Sequence, residues 1–184
     1  MAGKRDFPIN RTRRHLETGP IVLLSSAWRG ETNIMTLGWH MMIGWDQVGA
    51  YIWDANHSFD LIRKAKACVI NVPTVDMVDA VVKIGNSTGA EIDKFEAFGL
   101  TPVKASKVSA PLIGECYASF ECRLSDDSLI NSRGLFIWDV VKAHVASSPK
   151  NPRTIHYRGD GAFMVAGETI SRRGMFGPGM LDEG

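Results

Sequence analysis

Two stretches of this chain carry residue types that suit a ligand flat at one end and phosphorylated at the other. The first is Asn33-Ile34-Met35-Thr36-Leu37-Gly38-Trp39-His40. In an extended strand Thr36 and Gly38 share one face, while Met35, Leu37 and Trp39 share the other. Thr36 offers a hydroxyl to the polar edge of a ring, Gly38 lets a ring approach the backbone, and Trp39 offers a stacking face. The second stretch, Asn56-His57-Ser58, opens a segment with helical periodicity that includes Arg63 and Lys64. A helix N-terminus carries free N–H groups and partial positive charge, which suits a phosphate. Ser58 can donate a hydroxyl there, and His57 or Arg63 can add charge. Each stretch also has a plainer reading. Ser58 can be the N-cap of its own helix, and residues 33–40 can be a turn followed by an ordinary buried strand.

Other chemistry finds little support. Cys116 and Cys122 lie on one face of an expected strand but about 20 Å apart, at roughly 3.3 Å per residue, too far for one disulfide or one metal. Cys68 and Cys122 read as small buried hydrophobes, and Cys116, after Gly114-Glu115, as the one cysteine near a site. The five histidines form no helical metal pair, so neither a metal site nor a catalytic side chain is assigned. There is no strand-to-helix G-x-S-x-G for a serine hydrolase and no G-x-G-x-x-G for a dinucleotide site. Gly85-Asn86-Ser87-Thr88-Gly89 lacks the Lys-Ser/Thr ending of a phosphate loop and reads as a polar loop.

These residues need strands to carry them. Residues 21–27 predict a strand and a glycine turn at Gly30, residues 35–43 a returning strand bent near Gly38 and Gly44, and residues 48–54 a third strand. A helix follows from Ser58 to about Lys66, then a strand at 68–72. Thr74 caps a second helix with Val75, Val78, Val81 and Val82 as its apolar stripe, and a short helix spans 91–98. Strands at 116–124, 135–145 and 163–166 complete the list. The strand at 135–145 is mostly apolar on both faces, so it should lie between other elements. The strand–helix alternation of a parallel sheet is missing, which favours an antiparallel barrel with inserted helices.

At 184 residues, with 45% apolar and 22% charged residues and a net charge of +1, one domain spanning 1–184 is expected. It would have an N-terminal arm over about 1–19 and an irregular glycine-rich tail over about 167–184. The near-neutral charge argues against nucleic acid or an anionic membrane as partner. No apolar run is long enough to span a bilayer, no signal peptide is read, and three unpaired cysteines fit a reducing cytoplasm.

Six segments in order, at residues 16–25, 33–41, 56–63, 68–73, 92–102 and 110–123, resemble the flavin reductase-like, FMN-binding split-barrel family, the group that includes flavoredoxin. The resemblance implies a mainly β fold, a six-stranded antiparallel Greek-key split barrel. It implies FMN as cofactor, a homodimer with FMN near the interface, and NADH or NADPH as reductant, with an acceptor protein or monooxygenase as a further partner. By motif match, Met35, Thr36, Leu37, Gly38, Trp39 and His40, preceded by Asn33, would contact the ring and ribityl chain. Asn56, His57 and Ser58 would take the phosphate region, and Lys94, in Asp93-Lys94-Phe95, is a further cofactor-binding candidate. A flavoredoxin-like electron carrier and a non-catalytic flavin-binding module are the alternatives. Asp46-Gln47-Val48 departs from the proline pair of many relatives.

Overall fold

The computed structural model describes residues 3–177 and 179–181; positions 1–2 of the arm and 178 and 182–184 of the tail lie outside the described residues. The strands are β1 (Lys4–Phe7), β2 (Val22–Trp28), β3 (Glu31–Leu37), β4 (His40–Met42), β5 (Gln47–Tyr51), β6 (Ala67–Val72), β7 (Pro102–Val103), β8 (Leu112–Ile113), β9 (Ala118–Asp126), β10 (Leu135–Ala146), β11 (Ile155–Gly159) and β12 (Ala162–Val165). The helices are α1 (Arg13–Leu16), α2 (His57–Ala65), α3 (Val78–Gly85), α4 (Lys94–Ala97) and α5 (Ile130–Arg133). None is long and apolar enough to cross a membrane.

The apolar run of β2 returns through Arg29 and Gly30, both at positive φ, into β3. That is the two-residue hairpin geometry whose twist matches the strands. The main sheet runs β3-β2-β6-β9-β10-β5-β4, with β1 added beside β10, and its pairings are antiparallel. Its two edges, β3 and β4, are successive pieces of one segment bent at Gly38-Trp39. Counted as one bent strand, they close a barrel of six with β2, β6, β9, β10 and β5.

Alternate residues of these six strands fill the barrel, among them Leu24, Met35, Val48, Ile70, Phe120, Phe136 and Trp138. The rings of Phe136 and Trp138 stack with centroids 5.5 Å apart. Leu23 and Ile34 point the other way, into a second cluster with Met77, Val81 and Ile84, so α3 covers the outside of β2 and β3.

Several expectations need correction. The expected second helix is a 3-10 turn (Val75–Met77) followed by α3, and Val82 of its supposed apolar stripe is 40% exposed. The helix expected over 91–98 is only α4, started by Asp93, whose carboxylate accepts from the N–H groups of Phe95 and Glu96. β10 lies between other elements as expected, with β9, β5 and β1 pairing with it, but its burial alternates, one face filling the barrel and the other only partly covered. Cys116 precedes β9 and is buried in the outer cluster, 3.9 Å from the Met77 sulfur, so it shares no face with Cys122. Burial pushes its thiol pKa up to about 12. The strand expected at 163–166 is one arm of the β11–β12 hairpin.

His15 lies among Phe7, Tyr117 and Phe120, with ring centroids 5.2, 5.8 and 6.2 Å away. Burial, helped by the Arg14 charge, lowers its pKa to about 4. Between that value and the unfolded value near 6.5 the unfolded chain binds the extra proton, so stability falls as pH drops through this window. We expect a loss of about 1–2 kcal/mol from pH 7 to pH 5. Urea unfolding of wild type and His15→Phe at both pH values checks it. The variant should lose most of the slope, and equal slopes would show that His15 does not set it.

Candidate functional site

β3 buries Met35 and Leu37 in the barrel, which turns Thr36 outward toward α3, while Asn33, on the Met35 side of the strand, meets the start of α2. Thr36 Oγ donates to the Val81 carbonyl at 2.7 Å, tying α3 to β3. Asn33 is buried, and its Nδ2 donates to Ser58 Oγ at 2.8 Å, tying α2 to the same strand.

Two joined hollows result. The larger is about 700 Å³. Its lining comes from the corner of the bent strand (Leu37, Gly38, Trp39), from Tyr51 and Trp53, from the C-terminal part of α3 (Val81, Val82, Gly85 and the following Asn86), and from Tyr157, Gly161 and Phe163 of the β11–β12 hairpin. The smaller, about 120 Å³, lies between Asn33, residues 55–58 at the start of α2, residues 84–89 and Lys94. Met35, Thr36, Asn56 and Gly85 border both. The site is thus broad and aromatic at one end and small and polar at the other.

The small end is electropositive. α2 begins after Asn56, whose extended backbone (φ −73°, ψ 133°) makes it the N-cap, and no side chain caps it. Its first N–H groups and dipole therefore favour an anion. Lys94 is 4% exposed, and its Nζ donates to the carbonyls of Ile84 at 3.0 Å and Ser87 at 2.8 Å. Among the described residues no carboxylate pairs with it, and burial lowers its pKa. Glu31 Oε1 lies 2.6 Å from His57 Nε2 and balances any charge there. Asn33 Oδ1 is buried without a partner. At Gly89 an added Cβ would collide with the Asn33 amide, so glycine is what lets this loop close over the strand.

Ten of the eleven residues singled out from sequence border one hollow or both; His40 does not. Its Nε2 lies 2.7 Å from the Pro20 carbonyl, and burial lowers its pKa. Ser58 is no N-cap: it is the second helical residue, and its oxygen is committed to Asn33. Thr36 has already given its hydroxyl proton to Val81, so toward a ligand it can only accept. Arg63 lies outside both hollows and, like Arg133, borders a different one. The supposed polar loop at 85–89 walls the small hollow. Tyr51, Trp53, Tyr157 and Phe163 went unnoticed because three separate strands and a loop supply them. The usable signal was exposed aromatics: Trp39 is 72% and Trp53 60% exposed. Among the described residues no three His, Cys, Asp or Glu side chains gather to hold a metal.

The flavin reductase like domain matches residues 13–163 of the chain. An uncharacterized protein of Archaeoglobus fulgidus is 31% identical over 111 residues, covering 59% of this chain and 63% of its own length. Among solved structures, an FMN-binding domain of a flavin reductases-like enzyme from Shewanella baltica is 21% identical with a TM-score of 0.86, over 93% of this chain and 98% of that one. Flavoredoxin of Desulfovibrio vulgaris is 22% identical with a TM-score of 0.76, over 84% and 90%. At such identities these two structures bear on the fold.

Lys94 fastens two carbonyls at the end of α3. Lys94→Met keeps the apolar stem and removes both bonds, and we expect it to cost about 1–3 kcal/mol. Urea unfolding without added ligand measures this. An unchanged midpoint would mean that residues 84–89 are held without Lys94.

Proposed function

The chain belongs to the flavin reductase like domain family, and on that premise we propose that it is an FMN-binding oxidoreductase that draws on NADH or NADPH. The observation that carries the reading is the join between an aromatic hollow of about 700 Å³ and a small polar one that holds a buried, unpaired Lys94. When bound, FMN supplies the hydride and electron transfer chemistry.

The residues present fit that group. Lys94 and the N–H groups of His57 and Ser58 take the phosphate, which provides the charge that Lys94 lacks. Asn56, Met35 and Thr36 flank the chain between phosphate and ring. Gly38 admits the ring to the corner of the bent strand, with Trp39 and Tyr51 beside it, their own centroids 5.2 Å apart. Tyr157 and Phe163 exclude water from the opposite side. No acid–base side chain is assigned to the transfer; orientation and stacking are this chain's contribution. His40 acts on the corner rather than on the ligand.

A homodimer completes the reading. Trp39, Met41, Ile43 and Trp45 are 72%, 53%, 44% and 60% exposed along one stretch of the barrel edge. A monomer rarely leaves so much apolar surface in one place, and a two-fold axis is the common way to cover it.

FMN should bind at one per subunit and at least about tenfold more tightly than riboflavin, and Lys94→Met should erase most of that preference. Flavin fluorescence quenching reads both ligands. NADH or NADPH, added anaerobically to the loaded protein, should bleach the flavin absorbance. Equal affinity for riboflavin and FMN would sink the phosphate assignment, and a loaded protein that neither nucleotide bleaches would leave an electron carrier in place of a reductase.

Light scattering should give about twice the 20.2 kDa chain mass. Met41→Asp with Trp45→Glu should shift it toward one chain; a monomeric wild type would refute the dimer.

A further inference from the structure

A groove leads from the aromatic hollow along α2. Tyr51 and Trp53 border both that hollow and a second one, about 510 Å³, between α2 and α5. A third, about 410 Å³, adjoins the second, and Arg63, Ile130 and Asn131 border both. Three hollows in a row suit an extended ligand rather than a compact one.

The middle hollow is the basic one. Arg63 and Arg133 both border it, and among the described residues neither guanidinium has a carboxylate partner. Farther along, Lys66 is already engaged, 3.5 Å from Asp127. Asp54 is the only carboxylate among the described residues bordering the middle hollow, so two guanidiniums against one carboxylate leave it net positive.

The backbone holds this pair in place. Gly134 ends α5 at φ 64°, and its carbonyl accepts from Ile52 N–H at 2.9 Å. A Cβ at Gly134 would lie 2.8 Å from the Ile52 carbonyl oxygen and 3.0 Å from the Tyr51 ring. Glycine therefore lets the end of α5, with Arg133, sit directly against Tyr51 and Ile52. Arg63 follows Phe59 by one helical turn, on the same face of α2, and Phe59 is anchored edge-on to Phe136 at 5.4 Å.

We propose that Arg63 and Arg133 hold the diphosphate of a nicotinamide dinucleotide whose nicotinamide reaches the aromatic hollow past Tyr51 and Trp53. This rests on the proposed reductase reading. Guanidinium forks match phosphate oxygens in pairs. The assignment keeps the two anions of the reaction apart: one phosphate goes to Lys94 at one end of α2, and the diphosphate to Arg63 farther along the same helix. FMN and the reductant can then be bound together.

ADP is the probe, titrated calorimetrically at low ionic strength into the protein with and without FMN. Saturable ADP binding is expected. Arg63→Gln and Arg133→Gln should each weaken it at least about tenfold while FMN affinity stays unchanged. Orthophosphate should bind far more weakly than ADP. The KM for NADH or NADPH should rise in step with ADP weakening, while the rate with N-benzyl-dihydronicotinamide, which has no phosphate, should not change. Both side chains are exposed, and circular dichroism confirms that the variants fold. ADP that fails to bind wild type, or binds wild type and both variants equally, overturns the proposal. So does orthophosphate binding as tightly as ADP. Failure of FMN to bind would instead overturn the proposed function, and the ADP titration without FMN still reads the groove.

Discussion

One strand has to serve as both edges of the sheet. β3 and β4 are the terminal strands of the order β3-β2-β6-β9-β10-β5-β4, and only Gly38-Trp39 separates them. Without that bend the sheet would lie open, with two unpaired edges. The bend is tightly built. A Cβ at Gly38 would press on Ile21 Cδ1 at 3.0 Å. Trp39 accepts from Tyr51 N–H at 3.0 Å, and His40 reaches the Pro20 carbonyl at 2.7 Å. A strand that turns so sharply cannot bury every side chain, and Trp39 is left outside. The aromatic hollow is therefore a consequence of closing the barrel at this point.

The same logic explains which features the sequence could reveal. The apolar run of β2, the hairpin glycine and the alternation of β9 are local patterns, and β2, β6, β9 and β10 came out within two residues of their expected bounds, whereas the strand expected at 35–43 is β3, starting at Glu31, followed by β4. The bend was legible because glycine at a strand interior marks a kink or a close approach. Less local features were not. β10 reads as mostly apolar on both faces because Ile137 and Val141 interrupt its polar side, which signals its place between other strands but hides that only one face is fully buried. The hairpin of β11 and β12 depends on Gly159, Asp160 and Gly161 at positive φ, and its contribution to the site depends on packing across more than a hundred residues of chain. Cys116 looked like a continuation of β9, but the chain turns at 113–116, where Cys116 N–H bonds to the Ile113 carbonyl, and the thiol is carried to the outer cluster.

Serine and asparagine exchange roles in a way residue type alone does not disclose. A serine before a helix reads as a cap because most such serines are caps. Here Asn56 takes the capping position, and Asn33, arriving from β3, claims the serine oxygen. The bond survives if the Asn33 amide is turned over, because a hydroxyl can donate as well as accept. In one orientation Asn33 faces the small hollow with a carbonyl oxygen, in the other with an NH2. The pair can therefore present a donor to an anion without breaking the link that holds α2 to the sheet.

Two buried charges, Glu121 and Lys94, are satisfied to different degrees, and the difference supports the proposed role of the small hollow. Glu121 is fully buried, yet it accepts from Ser106 N–H and hydroxyl, from Lys107 and Val108 N–H, and from His144 at 2.8 Å. Burial pushes its pKa up, but these bonds outweigh it and the carboxyl titrates below its ordinary value. A buried charge satisfied so completely asks for nothing more. Lys94 is different. It has two carbonyl acceptors and no countercharge among the described residues, beside a helix N-terminus that adds to the same sign. Residual positive potential in a space of about 120 Å³ is costly for the protein alone. An anion of phosphate size would remove that cost, which is the physical basis of the phosphate assignment proposed for this hollow.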